Sequence, residues 1–180
     1  MISRRTIPAV ALGLSLYLAP ALEAQNWPAF RGPNGSGIAA GVLPTQWDGE
    51  KGQSLLWKTA LPGLGHSSPV VWGDRVFLTL AISSAANPNH NPKDDDIEPS
   101  NDQSSHEWRV ISLDKRSGKI LWSRMAHTGI PKVKRHVKAT QANATPVTDG
   151  NVVVVSFGSE GLYAYDMAGQ LLWKPDLGIL

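Results

Sequence analysis

The chain has no cysteine at all, which excludes disulfides, thiolate metal sites and a cysteine nucleophile. It equally excludes a lipid carried on a cysteine behind an export leader. Charge of either sign is also scarce. Lys and Arg number 17 against 15 Asp and Glu, a formal net charge of +2. Arg4, Arg5 and Glu23 lie in the segment read below as a removed leader, and without them the balance is 15 against 14. The sequence pI near 9.0 therefore does not describe a basic surface, and no nucleic-acid partner is indicated. Tyr and Phe are few, at three each, yet Trp numbers seven, with 17 Gly and 13 Pro. That mixture suits many short strands joined by turns, each burying area with a large flat side chain.

Long apolar runs are missing too. The only one, Ile7 to Leu18, is shorter than the ~20 residues of a membrane span and is interrupted by Pro8, with Pro20 following. Arg4 and Arg5 before it, and Leu22-Glu23-Ala24 after it, give the pattern of an export signal over residues 1–24, cleaved before Gln25. Ser3-Arg4-Arg5-Thr6-Ile7 partly resembles a twin-arginine signal. The expectation is a periplasmic or extracellular protein that is not a lipoprotein and keeps no membrane span. Residues 25–53 follow as a lead-in. Within them Gly32-Pro33-Asn34-Gly35-Ser36-Gly37 lacks the Lys-Ser/Thr ending of a phosphate loop and reads as a plain turn.

Aligned with itself, the chain repeats. Ser68-Pro69-Val70-Val71-Trp72-Gly73-Asp74-Arg75-Val76 matches Thr145-Pro146-Val147-Thr148-Asp149-Gly150-Asn151-Val152-Val153. Downstream, Leu113-Asp114…Gly118-Lys119-Ile120-Leu121-Trp122 matches Tyr165-Asp166…Gly169-Gln170-Leu171-Leu172-Trp173, and Leu55-Leu56-Trp57-Lys58 is a lone copy of the last piece. β-Branched residues with Gly, Asp and Asn punctuation predict four strands per unit. They are 69–72, 75–80, 108–114 and 119–124 in the first, and 145–148, 151–157, 162–166 and 170–174 in the second. Val152–Val155 does not alternate, as expected of a strand covered on both faces. Asp114 and Asp166 are placed to accept turn N–H groups, Gly118 and Gly169 to supply a positive φ, and Trp122 and Trp173 to pack between units.

These Asp…Gly…Trp elements resemble the repeat of quinoprotein-like (PQQ-repeat) β-propellers, and Asn26-Trp27-Pro28-Ala29-Phe30-Arg31-Gly32-Pro33-Asn34-Gly35 is similar to the opening of an exported bacterial branch. The resemblance implies an all-β fold of four-stranded antiparallel blades over residues 54–180. The propeller is incomplete, with two blades, an inserted loop at 81–107 and an orphan outer strand around Trp57. Rings close with ~4–8 blades, so the expectation is an N-terminal fragment of a larger propeller.

In such a meander the tight turns lie at one end and the long loops at the other, and functional groups ride on long loops. That face is expected to carry all five histidines, with His66, His136 and Lys138 as candidate ligand contacts and no catalytic residue assigned. Histidine spacing matches no metal motif. Asp94-Asp95-Asp96, Glu98 and Asp102 in the insertion supply hard oxygen atoms without the EF-hand order, and Lys132–Lys138 is read as a solvated basic loop. The favoured reading is a non-catalytic module that binds an envelope protein, peptide or glycan and takes no cofactor. The alternative is a fragment of a quinoprotein alcohol or sugar dehydrogenase, for which the resemblance implies pyrroloquinoline quinone (PQQ) and Ca²⁺. A third relative, the propeller lipoprotein of outer-membrane assembly, is disfavoured by the absence of a lipid-acceptor cysteine.

Overall fold

A computed structural model of the chain describes residues 25–41, 44–86, 88, 90, 91, 93, 98–175, 177 and 178. Residues 1–24, where a leader is expected, and Asp94–Asp96 and Leu180 lie outside the described residues.

Among the described residues, eight strands form two sheets of four, each an antiparallel meander in sequence order. The first blade holds β1 (Val70–Trp72), β2 (Arg75–Ser83), β3 (His106–Asp114) and β4 (Ile120–Gly129); the second holds β5 (Val147–Thr148), β6 (Val152–Ser156), β7 (Leu162–Asp166) and β8 (Leu171–Trp173). The strand order is the expected one, but the lengths differ. β2 continues through Ala81, Ile82 and Ser83 because these pair with Trp108, Glu107 and His106, so the insertion shrinks from 81–107 to 84–105. β4 runs on to Gly129 because the lengthened β3 gives it partners, His106 opposite Gly129 and Trp108 opposite His127. In the second blade β6 stops at Ser156, before a 3-10 turn at Gly158–Glu160.

Between the blades lies a continuous core. Val70, Phe77, Val110 and Trp122 of the first face Val153, Val155, Tyr163 and Tyr165 of the second, all buried. The seam is fastened at the tight-turn end. Trp122 lies over Gly169, where an added Cβ would stand 2.8 Å from the indole, and its Nε1 donates to the Met167 carbonyl at 3.0 Å. Arg124 Nε donates to the Gly169 carbonyl at 2.8 Å. Asp166 shapes the turn that presents these acceptors, taking the Gln170 N–H at 2.8 Å, and Gly169 sits at φ +82°.

The same device recurs on the other side of the first blade. Trp57 covers Gly118 so closely that a methyl group there would overlap the ring, and Trp57 Nε1 donates to the Lys115 carbonyl at 2.8 Å. Thr59 Oγ1 donates to the Gly118 carbonyl at 2.7 Å. Trp57 and Leu61 thereby close a second apolar cluster of Val76, Leu80, Ile111 and Leu113. Ser54–Lys58, expected as an orphan strand, belongs to no ladder, yet its indole docks as a blade strand would.

One expectation is corrected. β6 does alternate, with Val153 and Val155 buried and Val152 and Val154 half-buried, since among the described residues only one of its faces meets another sheet.

Gly169→Ala is expected to cost about 2–4 kcal/mol, combining a left-handed backbone with an over-packed indole. A lowered urea midpoint at unchanged slope checks it; a loss below about 0.5 kcal/mol would mean that the slot is not tight.

Candidate ligand face

The ends of the strands opposite the tight turns carry the long connections, and here they are laced together. The insertion lies against the loop between the blades. Ser100 donates its N–H to the Arg135 carbonyl at 2.7 Å, Asn91 donates to Val137 at 3.0 Å, and Pro99 bridges His136. Arg135 is buried at the centre of this contact. Its guanidinium donates to the carbonyls of His136, Val137 and Ala139 at 3.2, 3.4 and 3.0 Å, and to that of Pro88. A guanidinium has five N–H donors in a rigid fork, so one side chain can satisfy carbonyls from two loops. The loop Lys132–Lys138 is therefore not wholly solvated, as its charge suggested, but built around one buried arginine.

A second knot ties the insertion to its own blade. Asp102 takes Ser83 Oγ at 2.7 Å on one carboxylate oxygen, and Ser104 Oγ at 2.5 Å with Ser104 N–H at 3.0 Å on the other. His106 faces the same carboxylate with Nε2 at 3.4 Å, while its Nδ1 stands 2.9 Å from the Ser104 carbonyl. A carbonyl only accepts, so Nδ1 carries the proton. Burial pushes the Asp102 carboxyl up, but the donors from Ser104 and Ser83 and the His106 charge outweigh it, leaving the group below its ordinary 3.8. Serine, histidine and aspartate thus come together without the order of a catalytic triad. Ser83 donates to the carboxylate and not to the imidazole, so the Ser–His bond of a triad is not formed.

Of the expected contacts, His136 and Lys138 are joined, the Lys138 N–H donating to His136 Nδ1 at 3.0 Å. His66 is exposed, its ring 5.6 Å from that of His90. The histidines do not all ride on loops. His106 begins β3 and His127 lies in β4, on either side of Trp108, because the hairpin strands are longer than their apolar pattern.

Two cavities flank Arg135. One, of about 420 Å³, runs between Val133–Ala144 and Ser156–Glu160 and includes His136. The other, of about 400 Å³, lies between Pro62–Leu64, the end of β2 and Pro88. Arg135, Thr140 and Gln141 are common to both. Among the described residues no three His, Asp or Glu side chains stand together as a metal site. Arg135, the buried cation of these walls, is committed to four backbone carbonyls. No helix among them is long and apolar enough to cross a membrane.

A family model described as outer membrane protein assembly factor BamB, a PQQ-type repeat, matches residues 43–178. The chain belongs to this family. It is a PQQ-like β-propeller repeat module, and two blades of it are seen here. No curated protein matches the chain significantly.

Because the Asp102 carboxyl is held below its unfolded value, its contribution is complete above about pH 4 and is lost as pH falls through the folded value. Asp102→Asn should lower stability at pH 7 by about 1–3 kcal/mol, and the gap to the parent should narrow below pH 4. Urea midpoints measured at pH 7, 4 and 3 check this, and a gap constant with pH would refute it.

Proposed function

We propose that this propeller module is exported and acts in the cell envelope as a non-catalytic binding or scaffold element, holding a segment of an envelope protein across its long-loop face. One observation carries the reading. Two buried polar groups of that face, Arg135 and Asp102, are spent on bracing loops, and the bracing leaves two cavities of about 420 and 400 Å³ separated by a shared wall. A preformed concavity on braced loops lowers the ordering cost of binding, which suits recognition. The description of the matching family, an outer membrane assembly factor, supports an envelope setting, and the leader pattern over residues 1–24 supports export. With no cysteine, the chain would act there without a lipid of its own.

Gln141 lines both cavities and is only partly buried, which makes Gln141→Trp a plug that leaves the blades alone. Titration calorimetry with extended peptides from outer-membrane proteins should give binding that weakens at least about tenfold in Gln141→Trp, a loss of about 1.4 kcal/mol. Unaltered binding would remove the cavities from the function, and binding only to glycans would replace the ligand class. Dye reduction with PQQ, Ca²⁺ and primary alcohols should be absent; quinone-dependent reduction would favour the dehydrogenase instead.

A further inference from the structure

Two histidines lie within ion-pair reach of a buried carboxylate, and the two carboxylates differ. His106 Nε2 stands 3.4 Å from Asp102 Oδ2, and His127 Nε2 stands 3.3 Å from Glu160 Oε2. Asp102 has both oxygens filled by donors from Ser83 and Ser104. Glu160 is filled on one side only. Its Oε1 accepts the Lys132 N–H at 2.7 Å, while Oε2 is buried and accepts no hydrogen bond from the protein, His127 included. A buried carboxylate oxygen without a donor is costly, and at 5 % exposure the residue is largely closed to water.

The surroundings hold both groups in place. Glu160 closes the turn Gly158–Glu160 between β6 and β7, its N–H donating to the Phe157 carbonyl at 3.2 Å. Its own carbonyl takes the Tyr163 hydroxyl at 2.8 Å. His127 belongs to β4 of the other blade, its ring 5.2 Å from that of Trp108 and its side chain 32 % exposed. Gly129, two residues on, leaves Nε2 uncovered where an added Cβ would come to 3.5 Å.

A nitrogen and an oxygen this close, with no hydrogen bond between them, suit a shared cation. Two donor atoms about 2.0–2.1 Å from a tetrahedral ion lie about 3.3 Å apart, with their lone pairs turned toward the ion. We propose that His127 Nε2 and Glu160 Oε2 are two ligands of a divalent transition-metal ion of the Zn²⁺ class, which ties the first blade to the second at the long-loop end. One imidazole and one carboxylate suit Zn²⁺, whereas Ca²⁺ takes oxygen atoms alone. Two protein ligands are fewer than the four of a closed structural site, so water fills the other positions and the ion exchanges. Lys132 and Lys174 line the cavity beside the pair and oppose a cation, which keeps the affinity moderate. Of these, Lys132 Nζ is bound to the Ser159 carbonyl at 2.8 Å.

The test uses the full chain, freed of metal with a chelator, and Zn²⁺ alone. Titration calorimetry should give one bound ion per chain, and Zn²⁺ should raise the melting temperature, as a ligand of the folded state does. Ca²⁺ at the same concentration should do neither. Glu160→Gln keeps an acceptor for the Lys132 N–H but loses the charge, and His127→Ala removes the nitrogen. Each should weaken Zn²⁺ binding at least tenfold. His66→Ala and His136→Ala should leave it unchanged, which separates this site from the other histidines. Should Glu160→Gln unfold, His127→Ala still decides, and in the unaltered chain the ring-nitrogen NMR signals of His127 should move as Zn²⁺ is added. A chain that binds no Zn²⁺, or binding kept in His127→Ala and lost in His66→Ala or His136→Ala, overturns the proposal.

Discussion

An indole can lie flat against a β-turn only where the turn has no side chain, and the architecture of this chain depends on that constraint. Trp122 reaches Gly169 and Trp57 reaches Gly118 at positions where a Cβ would strike the ring. The same glycines stand at φ +82° and +70°, so the residue that clears the space also bends the turn. Asp114 completes the arrangement from below, accepting the Ser117 N–H at 2.7 Å and the Arg116 N–H at 3.2 Å. The Ser117 hydroxyl and backbone donors hold its carboxyl below the ordinary carboxylate range. Aspartate fixes the turn, the turn aims a carbonyl, and the carbonyl takes the indole N–H. Each step would be weak alone, and together they set the spacing of the sheets.

A second consequence concerns the opposite end of the blades. Because adhesion is concentrated at the turns and the inward rows, the far ends of β2, β3 and β4 are free to lengthen and to carry an insertion. Such loops would be loose without internal partners, since polar backbone taken from water needs hydrogen bonds. Arg135 and Asp102 meet that need by different means: one donor-rich cation gathers carbonyls from two loops, and one acceptor-rich anion joins a hydroxyl at the end of β2 to a hydroxyl and an N–H of the insertion. Once those bonds are made, neither group has the freedom expected of a catalytic acid or base.

Much of the framework was legible in the residues. Pro, Gly and Asp mark each turn, and the Asp…Gly…Trp spacing identifies which turn receives an indole. The strand ends were not legible for a physical reason. Ser83, His106, Glu107 and His127 look like loop residues, yet they are in strands because long antiparallel partners lie opposite, a property of the pair rather than of either segment. The buried Arg135 was hidden in the same way. In sequence it is one cation among Lys132, Lys134 and Lys138, and only the arrival of Pro88 and Ser100 from the insertion distinguishes it. His66, His136 and Lys138 do fall on the long-loop face, but the polar centre of that face is a residue that charge patterning assigned to solvent.

The two blades also show that this division of labour is independent of loop length. The first has 22 residues between β2 and β3, the second only five between β6 and β7. The indole bonds beside them nevertheless match, at 2.8 Å for Trp57 and 3.0 Å for Trp122. If the insertion strained its sheet, the strain would be expected at the nearest seam, yet the row at that seam, Val70, Phe77, Ser112 and Trp122, is buried throughout. Loop and seam are separated by the length of a strand, and the ladder between them absorbs irregularity locally through bulges at Trp108/Arg109 and Ser112/Leu113. A repeat built this way can vary its loops at one end without loosening the seam at the other.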